Sequence, residues 1–266
     1  EAMDDILTVN GLCKSFGGIA AVQDISMRIP RGKIVSLIGP NGAGKTSVFN
    51  LLTGFYEKDA GTIGFEGAPL EGLKAYDYVK RGIVRTFQNV RLYSAMSVLD
   101  NVMVGNQYRI RYSPLDIVFN TRRKRRVEEE SRTAALALLE ELGLSHLAYE
   151  RCDALSYGQQ KKLEIVRAMA SAPKLLLLDE PAAGLNPLES EELSVFVAHL
   201  IDRGFTILLI EHDISLVMSI SDNVYVMDHG RMLSEGMPEQ VQRDPAVIEA
   251  YIGKRGMQDV IAGKSP

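Results

Sequence analysis

The first part of the chain alternates short β-rich stretches with tight turns, whereas two later stretches are apolar without interruption. The β-rich stretches predict strands because they are short and are bounded by glycine or proline. The two apolar runs predict strands buried on both faces, since helices cover both sides of a parallel sheet. Strands are therefore predicted at 6–11, 20–29, 33–38, 62–65, 175–178 and 206–210.

Helical stretches lie between and after these strands. The stretch 127–142 is rich in Ala, Leu and Glu and is followed by Gly143, as expected of a helix and its C-terminal cap. Asp244 and Pro245 provide an N-cap and a first helical position, so a short helix is expected near the end. Helices are predicted at 44–52, 127–142, 187–202 and after Pro245. The order of elements predicts an α/β lobe that is interrupted by a helical lobe.

Composition excludes several classes of protein. The chain has 266 residues, 46% hydrophobic content and a formal net charge of -4, so charge balance gives no support to a nucleic-acid partner. Cys13 and Cys152 lack the spacing of a metal site or a disulfide framework, which suits a reducing cytosol. No secretory signal is visible, and the apolar runs are too short to span a bilayer. We therefore expect a soluble, intracellular protein.

The stretch GPNGAGKT, which begins at Gly39, fits the phosphate-binding pattern G-x-x-x-x-G-K-[ST]. Gly39, Gly42 and Gly44 let the loop wrap closely and present N–H groups to phosphates at a helix N-terminus. Lys45 is expected to reach the β- and γ-phosphates of ATP, and the Thr46 hydroxyl to ligate Mg²⁺. A glycine-rich turn that fits by chance is the alternative. The residues predicted to bind nucleotide here are Gly39, Pro40, Asn41, Gly42, Ala43, Gly44, Lys45, Thr46 and Ser47.

Asp179 and Glu180 end one of the apolar strands, where a buried carboxylate pair is costly unless it has a function. Asp179 fits the Walker B acid that helps to hold Mg²⁺ beside a phosphate-binding loop. The alternative is a strand end that simply becomes polar at the surface. The phosphate-binding loop earlier in the chain favours the functional interpretation.

The stretch LSYGQQKK, from Leu155 to Lys162, opens another predicted helix. Ser156 and Gly158 can there present a hydroxyl, a backbone N–H and the positive helix end to one anion. The alternative is a serine that merely caps a surface helix. The stretch resembles the signature sequence of ATP-binding cassette (ABC) ATPases, in which two copies of the domain enclose ATP between them. The resemblance implies that Ser156, Gly158 and Gln159 contact nucleotide.

The resemblance to ABC ATPases implies a P-loop NTPase fold with a RecA-like core, an antiparallel β subdomain and an inserted helical subdomain. It divides the chain into a first nucleotide-binding part at 1–88, a helical lobe at 89–161 and a second nucleotide-binding part at 162–253. A loose tail at 254–266 completes this division.

The same resemblance implies roles for four further residues. Glu180 corresponds to the general base that polarises the attacking water, and His212 to the switch histidine that contacts the γ-phosphate. Gln88 corresponds to the glutamine that senses Mg²⁺ and water. Phe16 stands where the family places an aromatic ring against adenine, a contact worth about 1–3 kcal/mol; a core phenylalanine is the alternative.

The chain departs from the common pattern at two positions. Tyr157 stands where LSGGQ has its first glycine, and Asn186 replaces the aspartate usual in the D-loop, the loop that follows Glu180. Ser156 and the second glycine remain, so contact with phosphate is still expected. The effect of Asn186 on signalling between two copies stays open.

Longer phrases make the resemblance more specific: FGGIAAVQDIS, SLIGPNGAGKTSVFNLLTGFY, GIVRTFQNVRLY, LLLLDEPAAGLNP and LLIEHDISLVMSISD. They are similar to the LivG-type ATP-binding subunits of bacterial branched-chain amino acid importers. The alternatives are the ATPase of a lipopolysaccharide exporter or an ABC ATPase of DNA repair or translation. ABC ATPases of DNA repair or translation usually carry paired cassettes or coiled-coil insertions, and neither feature is visible in this sequence.

The importer resemblance implies partners and a location. The partners are transmembrane permease subunits and a second ATP-binding subunit, in a heterodimer rather than a homodimer, while a periplasmic amino-acid-binding protein acts indirectly. The location is the cytoplasmic face of the bacterial inner membrane. The apolar residues expected to meet the permease follow Gln88 and are Val90, Leu92, Tyr93 and Met96.

Residues 122–126 are five consecutive basic residues followed by glutamates. We interpret them as a solvated helix face of mixed charge, with contact to lipid headgroups as the alternative. Because cations at a helix N-terminus oppose the macrodipole, the helix is expected to begin near Val127.

Overall fold

A six-stranded, mainly parallel sheet forms the centre of the protein. The computed structural model describes residues 4–86, 91–107, 113, 115, 116 and 119–251. The strands of the central sheet are β3 (Ile34–Ile38), β6 (Ile83–Arg85), β7 (Leu175–Asp179), β8 (Thr206–Ile210), β9 (Asn223–Asp228) and β10 (Arg231–Gly236). Their order is β10-β9-β3-β8-β7-β6, and β10 is antiparallel to its neighbour β9. Every residue of β3, β7 and β8 is buried, which confirms the predicted parallel strands.

A second, antiparallel sheet lies beside the first. Its strands are β1 (Asp5–Phe16), β2 (Ile19–Pro30), β4 (Ala60–Phe65) and β5 (Ala68–Pro69), in the order β2-β1-β4-β5. β1 and β2 are longer than predicted because they pair along twelve residues each around the turn at Gly17 and Gly18. Towards Pro30, buried and exposed residues alternate in β2, as expected of a strand with one face on the core.

Eight helices are described with both ends. They are α1 (Lys45–Leu52), α2 (Ala75–Arg81), α3 (Val98–Gly105), α4 (Arg122–Glu141), α5 (Tyr157–Met169), α6 (Pro187–His199), α7 (Ile214–Ile220) and α8 (Pro238–Gln242). Short 3-10 turns lie at Ser145–Leu147, Cys152–Ala154 and Ile201–Arg203. The last described residues, 245–251, are helical and bury Val247, in agreement with the predicted short helix.

The predicted start of the long helix α4 is wrong. The helix begins at Arg122, where the Thr121 side chain accepts a hydrogen bond from the N–H of Lys124. Ion pairs one turn apart offset the unfavourable charge at this end, with 2.8 Å separating charged atoms in both Lys124–Glu128 and Arg126–Glu130. The cap and these ion pairs stabilise the start of the helix more than the macrodipole destabilises it.

The apolar core is divided between the lobes. One cluster joins α3, α4 and α5, and another packs α6 and α7 against the central sheet. Helix α5 runs across the predicted boundary at residue 161, with Leu163 and Val166 in the first cluster and Ile165 and Met169 in the second. The helix therefore packs into both clusters, while the exact division of the chain stays a prediction.

Two further predictions concern cysteines and membrane segments. Cys13 and Cys152 are free, and burial raises the pKa of the Cys152 thiol to about 11. Among the described residues, no helix combines the length and apolar character that crossing a bilayer requires.

Candidate functional site

The phosphate-binding loop connects the end of β3 to the start of α1. Gly39 and Gly44 have φ angles of 151° and 103°. A Cβ atom at Gly39 would lie 2.1 Å from the carbonyl oxygen of Met227, and one at Gly44 would lie 2.4 Å from that of Ala21. These glycines are therefore required by close backbone approach as well as by backbone angle. The loop is held between β2 and β9, and its helix starts without a side-chain cap.

Lys45 lies beneath this loop and is only 7% exposed. Its ammonium group donates hydrogen bonds to the carbonyl oxygens of Gly39 and Pro40, at 2.7 and 3.1 Å. Burial lowers the pKa of Lys45, and the carboxylates of Glu180 and Asp179 oppose this shift. The lysine is thus within electrostatic reach of both acids.

A cavity of about 400 Å³ opens over the loop. It brings most of the predicted nucleotide-binding residues together with Glu180. Ile19, Ala20 and Ala21 form another wall, and His229 also lines the cavity. The predicted residues in its lining are Asn41, Gly42, Ala43, Gly44, Lys45, Thr46, Ser47 and Glu180.

The Asp179 carboxylate is buried and paired with an arginine that the sequence interpretation missed. Arg85 Nη2 lies 2.5 Å from Asp179 Oδ2, and Arg85 Nη1 lies 2.6 Å from the side-chain oxygen of Asn50. Both charged side chains are less than a tenth exposed. The pair joins β6 and β7 to α1, so Arg85 sets the position of Asp179 relative to the phosphate-binding helix. In the sequence, Arg85 stands out only as a basic residue directly after the apolar pair Ile83 and Val84, a pattern that does not identify its partner.

Glu180 and His212 meet at the ends of neighbouring strands, because Asp179 pairs with Ile210 in the register of β7 and β8. Glu180 has a φ angle of 47°, an uncommon conformation for a residue other than glycine. Its N–H donates to the carbonyl of Ile210 at 2.9 Å, and its own carbonyl accepts from Ala183 at 3.1 Å. His212 Nδ1 lies 3.9 Å from Glu180 Oε2, and the imidazole is 57% exposed. The structure therefore places both predicted catalytic groups side by side.

The signature turn opens α5 as predicted. The Ser156 hydroxyl accepts a hydrogen bond from the N–H of Gln159 at 3.3 Å, and the Gln159 side chain accepts from the N–H of Ser156 at 2.9 Å. Tyr157, the departure from LSGGQ, lies against Gly184 of the D-loop, so that a Cβ there would be 3.2 Å from the ring. Gly158 is equally close to the side chain of Glu189 in α6. The signature and the D-loop of one copy therefore form one surface.

Asn186 has a defined structural role in the D-loop. Its side-chain oxygen accepts a hydrogen bond from the N–H of Glu189 at 3.0 Å, and the Glu189 carboxylate accepts from the N–H of Asn186 at 3.1 Å. Pro187 occupies the first helical position. Asparagine caps helices about as well as aspartate, so this replacement preserves the start of α6.

Eight of the predicted site residues that the structure describes are not part of the cavity lining: Gly39, Pro40, Asp179, His212, Phe16, Ser156, Gly158 and Gln159. Gln88 falls outside the described residues, as does Val90. Phe16 is 40% exposed at the tip of the β1–β2 hairpin and packs edge to face on Tyr56, at 5.0 Å between ring centres. Its strand neighbour Ile19 lines the cavity, so contact of Phe16 with adenine stays a prediction. Ser156, Gly158 and Gln159 are all described, and the lining of the cavity does not include them.

The oxygen groups present suit Mg²⁺ shared with a phosphate. Thr46 supplies a hydroxyl and Asp179 a carboxylate, which are hard donors of the kind that Mg²⁺ prefers. Within the described ranges, no group of three or more His, Cys, Asp or Glu side chains could hold a metal by itself. Magnesium is commonly bound by one or two protein side chains together with substrate phosphates, so the available donors fit.

Comparison with known proteins gives the class of protein that the sequence motifs predict. Residues 22–183 match the family described as "ABC transporter", and residues 231–256 match "Branched-chain amino acid ATP-binding cassette transporter". A solved nucleotide-free ATP-binding cassette from an ABC transporter superposes with a TM-score of 0.81 at 35% identity, covering 94% of this chain and 100% of that one. The chain belongs to the ABC transporter family of ATP-binding proteins.

Within this family, the chain is similar to curated proteins of one transport class. The high-affinity branched-chain amino acid transport ATP-binding protein BraF of Pseudomonas aeruginosa is 45% identical over 250 residues, covering 94% of this chain and 98% of the relative. LivG of Escherichia coli K12, which carries the same description, is 46% identical with the same coverage. The predicted fold, the ATPase class and nucleotide binding are confirmed.

The buried pair between Arg85 and Asp179 leads to a stability prediction. Arg85→Ala leaves the Asp179 carboxylate buried without this arginine, and loss of one partner from a buried pair costs about 3–5 kcal/mol. Urea unfolding should therefore show a large fall in the free energy of unfolding. Arg126→Ala is the matched control, because the Arg126–Glu130 pair is exposed and such pairs contribute about 1 kcal/mol or less. Equal losses in the two variants would contradict the role assigned to Arg85.

Proposed function

We propose that the chain binds and hydrolyses ATP as a subunit of an importer of branched-chain amino acids. The observation that carries the enzymatic part is the cavity in which Lys45, Thr46 and Glu180 come together. The substrate class is supported by the relatives BraF and LivG and by the match at residues 231–256.

Binding of the triphosphate rests on the loop and its lysine. The N–H groups of the loop and the start of α1 face the phosphates, where the positive end of the helix favours negative charge. Lys45 exchanges its hydrogen bonds with the Gly39 and Pro40 carbonyls for contacts with the β- and γ-phosphates. Thr46 and Asp179 hold Mg²⁺, with Gln88 as a third group by resemblance. Bound Mg²⁺ neutralises charge that develops on the transferred phosphoryl group.

Hydrolysis requires a base and a group that contacts the γ-phosphate. Glu180 accepts a proton from the water whose oxygen attacks phosphorus, while the bond to the bridging oxygen of ADP breaks. His212 donates a hydrogen bond to the γ-phosphate from its half-exposed position beside Glu180. Positioning and electrostatics account for most of the rate in such phosphoryl transfer.

A second cassette completes the site. Ser156 and Gly158 lie at the N-terminal end of α5, apart from the cavity of their own copy. Ser156 uses its oxygen to cap the helix, which leaves the hydroxyl hydrogen to donate to an anion. We infer that these residues, with Gln159, contact the γ-phosphate bound to the other cassette, which is a sister subunit rather than an identical copy.

Contact with permease subunits at the cytoplasmic face of the inner membrane is the next part of the proposal. Leu92 packs against the helical-lobe core, while Tyr93 and Met96 beside it are 53% and 42% exposed. Such neighbouring exposed apolar side chains suit a protein interface. A periplasmic amino-acid-binding protein acts through the permease and does not touch this chain.

The lysine assignment gives the first functional prediction. Lys45→Ala removes the cation that faces the phosphates, so ATP affinity should fall by tenfold or more, about 1.4 kcal/mol. Lys80→Ala is the control, since Lys80 is 61% exposed on α2. Calorimetric titration with Mg-ATP measures the affinity, and thermal unfolding verifies that the variant is folded. Unchanged affinity in Lys45→Ala would refute the assignment.

The proposed two-cassette arrangement gives the second functional prediction. Glu180→Gln keeps the shape of the side chain but removes the base, so hydrolysis should slow by about 10²–10⁴-fold while ATP still binds. The variant should accumulate as a closed pair with Mg-ATP, alone or with its sister subunit. Adding Ser156→Arg should block closure by steric bulk. Size-exclusion chromatography separates pair from monomer, and wild-type hydrolysis by Glu180→Gln would show that the base is misassigned.

The proposed substrate class gives the third functional prediction. Deletion of the gene should abolish high-affinity leucine uptake while sparing export of envelope lipid. Uptake of radiolabelled leucine by deletion cells, with and without the restored gene, measures the effect. Normal leucine uptake with a defect in lipid export would instead assign the chain to the lipopolysaccharide exporter class.

A further inference from the structure

Glu211 is a fully buried carboxylate at the end of β8, directly before His212. Its exposed fraction is 0%, and glutamate is seldom buried completely unless its charge is compensated. Burial raises the pKa of this carboxyl, whereas hydrogen bonds from backbone N–H groups lower it. A buried acid here is therefore costly, and its hydrogen bonds indicate what it does.

Both carboxylate oxygens accept hydrogen bonds from backbone N–H groups. Oε1 accepts from Ala182 at 2.7 Å, and Oε2 accepts from His212 at 3.1 Å. Ala182 belongs to the loop that leaves β7, whereas His212 follows β8. One side chain thus connects the loop after Glu180 to the backbone of the switch histidine.

The connection matters because the two proposed catalytic side chains are poorly fixed to each other. The 3.9 Å between His212 Nδ1 and Glu180 Oε2 is too long for a hydrogen bond. The backbone that carries them therefore contributes to their relative position. Glu180 already has the uncommon φ angle of 47°, which persists only where the surroundings determine it.

Packing leaves one side of this region open. A cavity of about 500 Å³ borders Ala182, Gly184 and Leu185 of the loop and also Glu211 and His212. Ala182 itself belongs to a buried core cluster and Leu185 packs against it, so packing holds the loop on the side away from this cavity. The hydrogen bond from Ala182 to Glu211 adds a directional restraint to that packing.

We propose that Glu211 is a positioning residue that locks the loop after Glu180 to the backbone of His212, so that the two groups reach the γ-phosphate as a unit. This inference rests on the roles proposed for Glu180 and His212. In this scheme Glu211 touches neither ATP nor water. It acts through the backbone that it holds and, with Oε2 lying 3.7 Å from His212 Nδ1, on the imidazole itself.

Substitution should separate this role from binding. Glu211→Gln retains one acceptor but turns an amide group towards an N–H donor, and Glu211→Ala removes both acceptors. We expect kcat to fall at least tenfold in Glu211→Ala and less in Glu211→Gln, while KM for ATP and ATP affinity stay within twofold. Glu164→Gln is the matched control, since Glu164 is 3% exposed in α5 and lies 3.9 Å from Arg167 of the same helix. Its kcat should stay within twofold of the wild type.

Two further measurements distinguish positioning from a general loss of structure. Hydrogen exchange at residues 179–186 and 209–214 should accelerate in the Glu211 variants but not in Glu164→Gln. Single-turnover assays give the fold decrease in hydrolysis rate that Glu211→Ala causes. When Glu180→Gln or His212→Ala is already present, this fold decrease should be a third or less of its value in the wild-type background, because the effects of residues that act as a unit are not additive. Glu211→Gln serves where Glu211→Ala does not fold.

Opposite results overturn the proposal in recognisable ways. A wild-type kcat in both Glu211 variants would contradict the positioning role alone. So would double variants in which the fold losses of Glu211→Ala and of Glu180→Gln or His212→Ala multiply fully. Wild-type hydrolysis by Glu180→Gln and His212→Ala as single variants would instead remove the catalytic roles on which it rests. A higher KM with unchanged kcat would make Glu211 a determinant of ATP binding.

Discussion

Parallel pairing of β3, β7 and β8 is the constraint on which the site depends. Leu37 and Asp179 both pair with Ile210, so the three strands end at one edge of the sheet. Each strand is followed at once by a segment with candidate chemistry: the phosphate-binding loop, Glu180 and His212. Ligands of open α/β sheets bind outside the carboxyl ends of strands. Residues up to 173 positions apart thus share a site because of backbone hydrogen bonds, while buried apolar side chains hold the strands in register.

Charge at this edge is balanced locally. Arg85 neutralises Asp179 inside the protein, Lys45 lies within reach of Asp179 and Glu180, and backbone N–H groups compensate Glu211. Arg85 engages Oδ2 of Asp179, so the other carboxylate oxygen remains for Mg²⁺ in the proposed mechanism. In that mechanism the buried arginine orients Asp179 and leaves one of its carboxylate oxygens for the metal.

The sequence predicted those parts of the protein that depend on local patterns. Continuous apolar runs predicted β7 and β8, and glycine spacing predicted the loop before Lys45. The start of α4 differs from the prediction because the Thr121 cap and the ion pairs along the helix offset the macrodipole.

The roles of Arg85 and Glu211 could not be predicted from local patterns. Arg85 meets Asp179 across 94 positions of sequence, and Glu211 meets Ala182 across 29. Neither pairing is visible in a hydrophobic period or a motif. Such residues become recognisable only when strand order is known, because their function depends on which strand ends are neighbours.

Contacts within one cassette also explain how a signal could pass between two. Tyr157 packs on Gly184, and Gly158 faces Glu189, so the signature turn lies against the D-loop of its own copy. That D-loop continues from the segment that Glu211 fixes to the backbone of His212. A phosphate bound at Ser156 would therefore act on a surface that is connected, through the D-loop, to the base and switch of the same chain. In the proposed two-cassette arrangement, each cassette would sense nucleotide on its partner through the elements that position its own proposed catalytic groups.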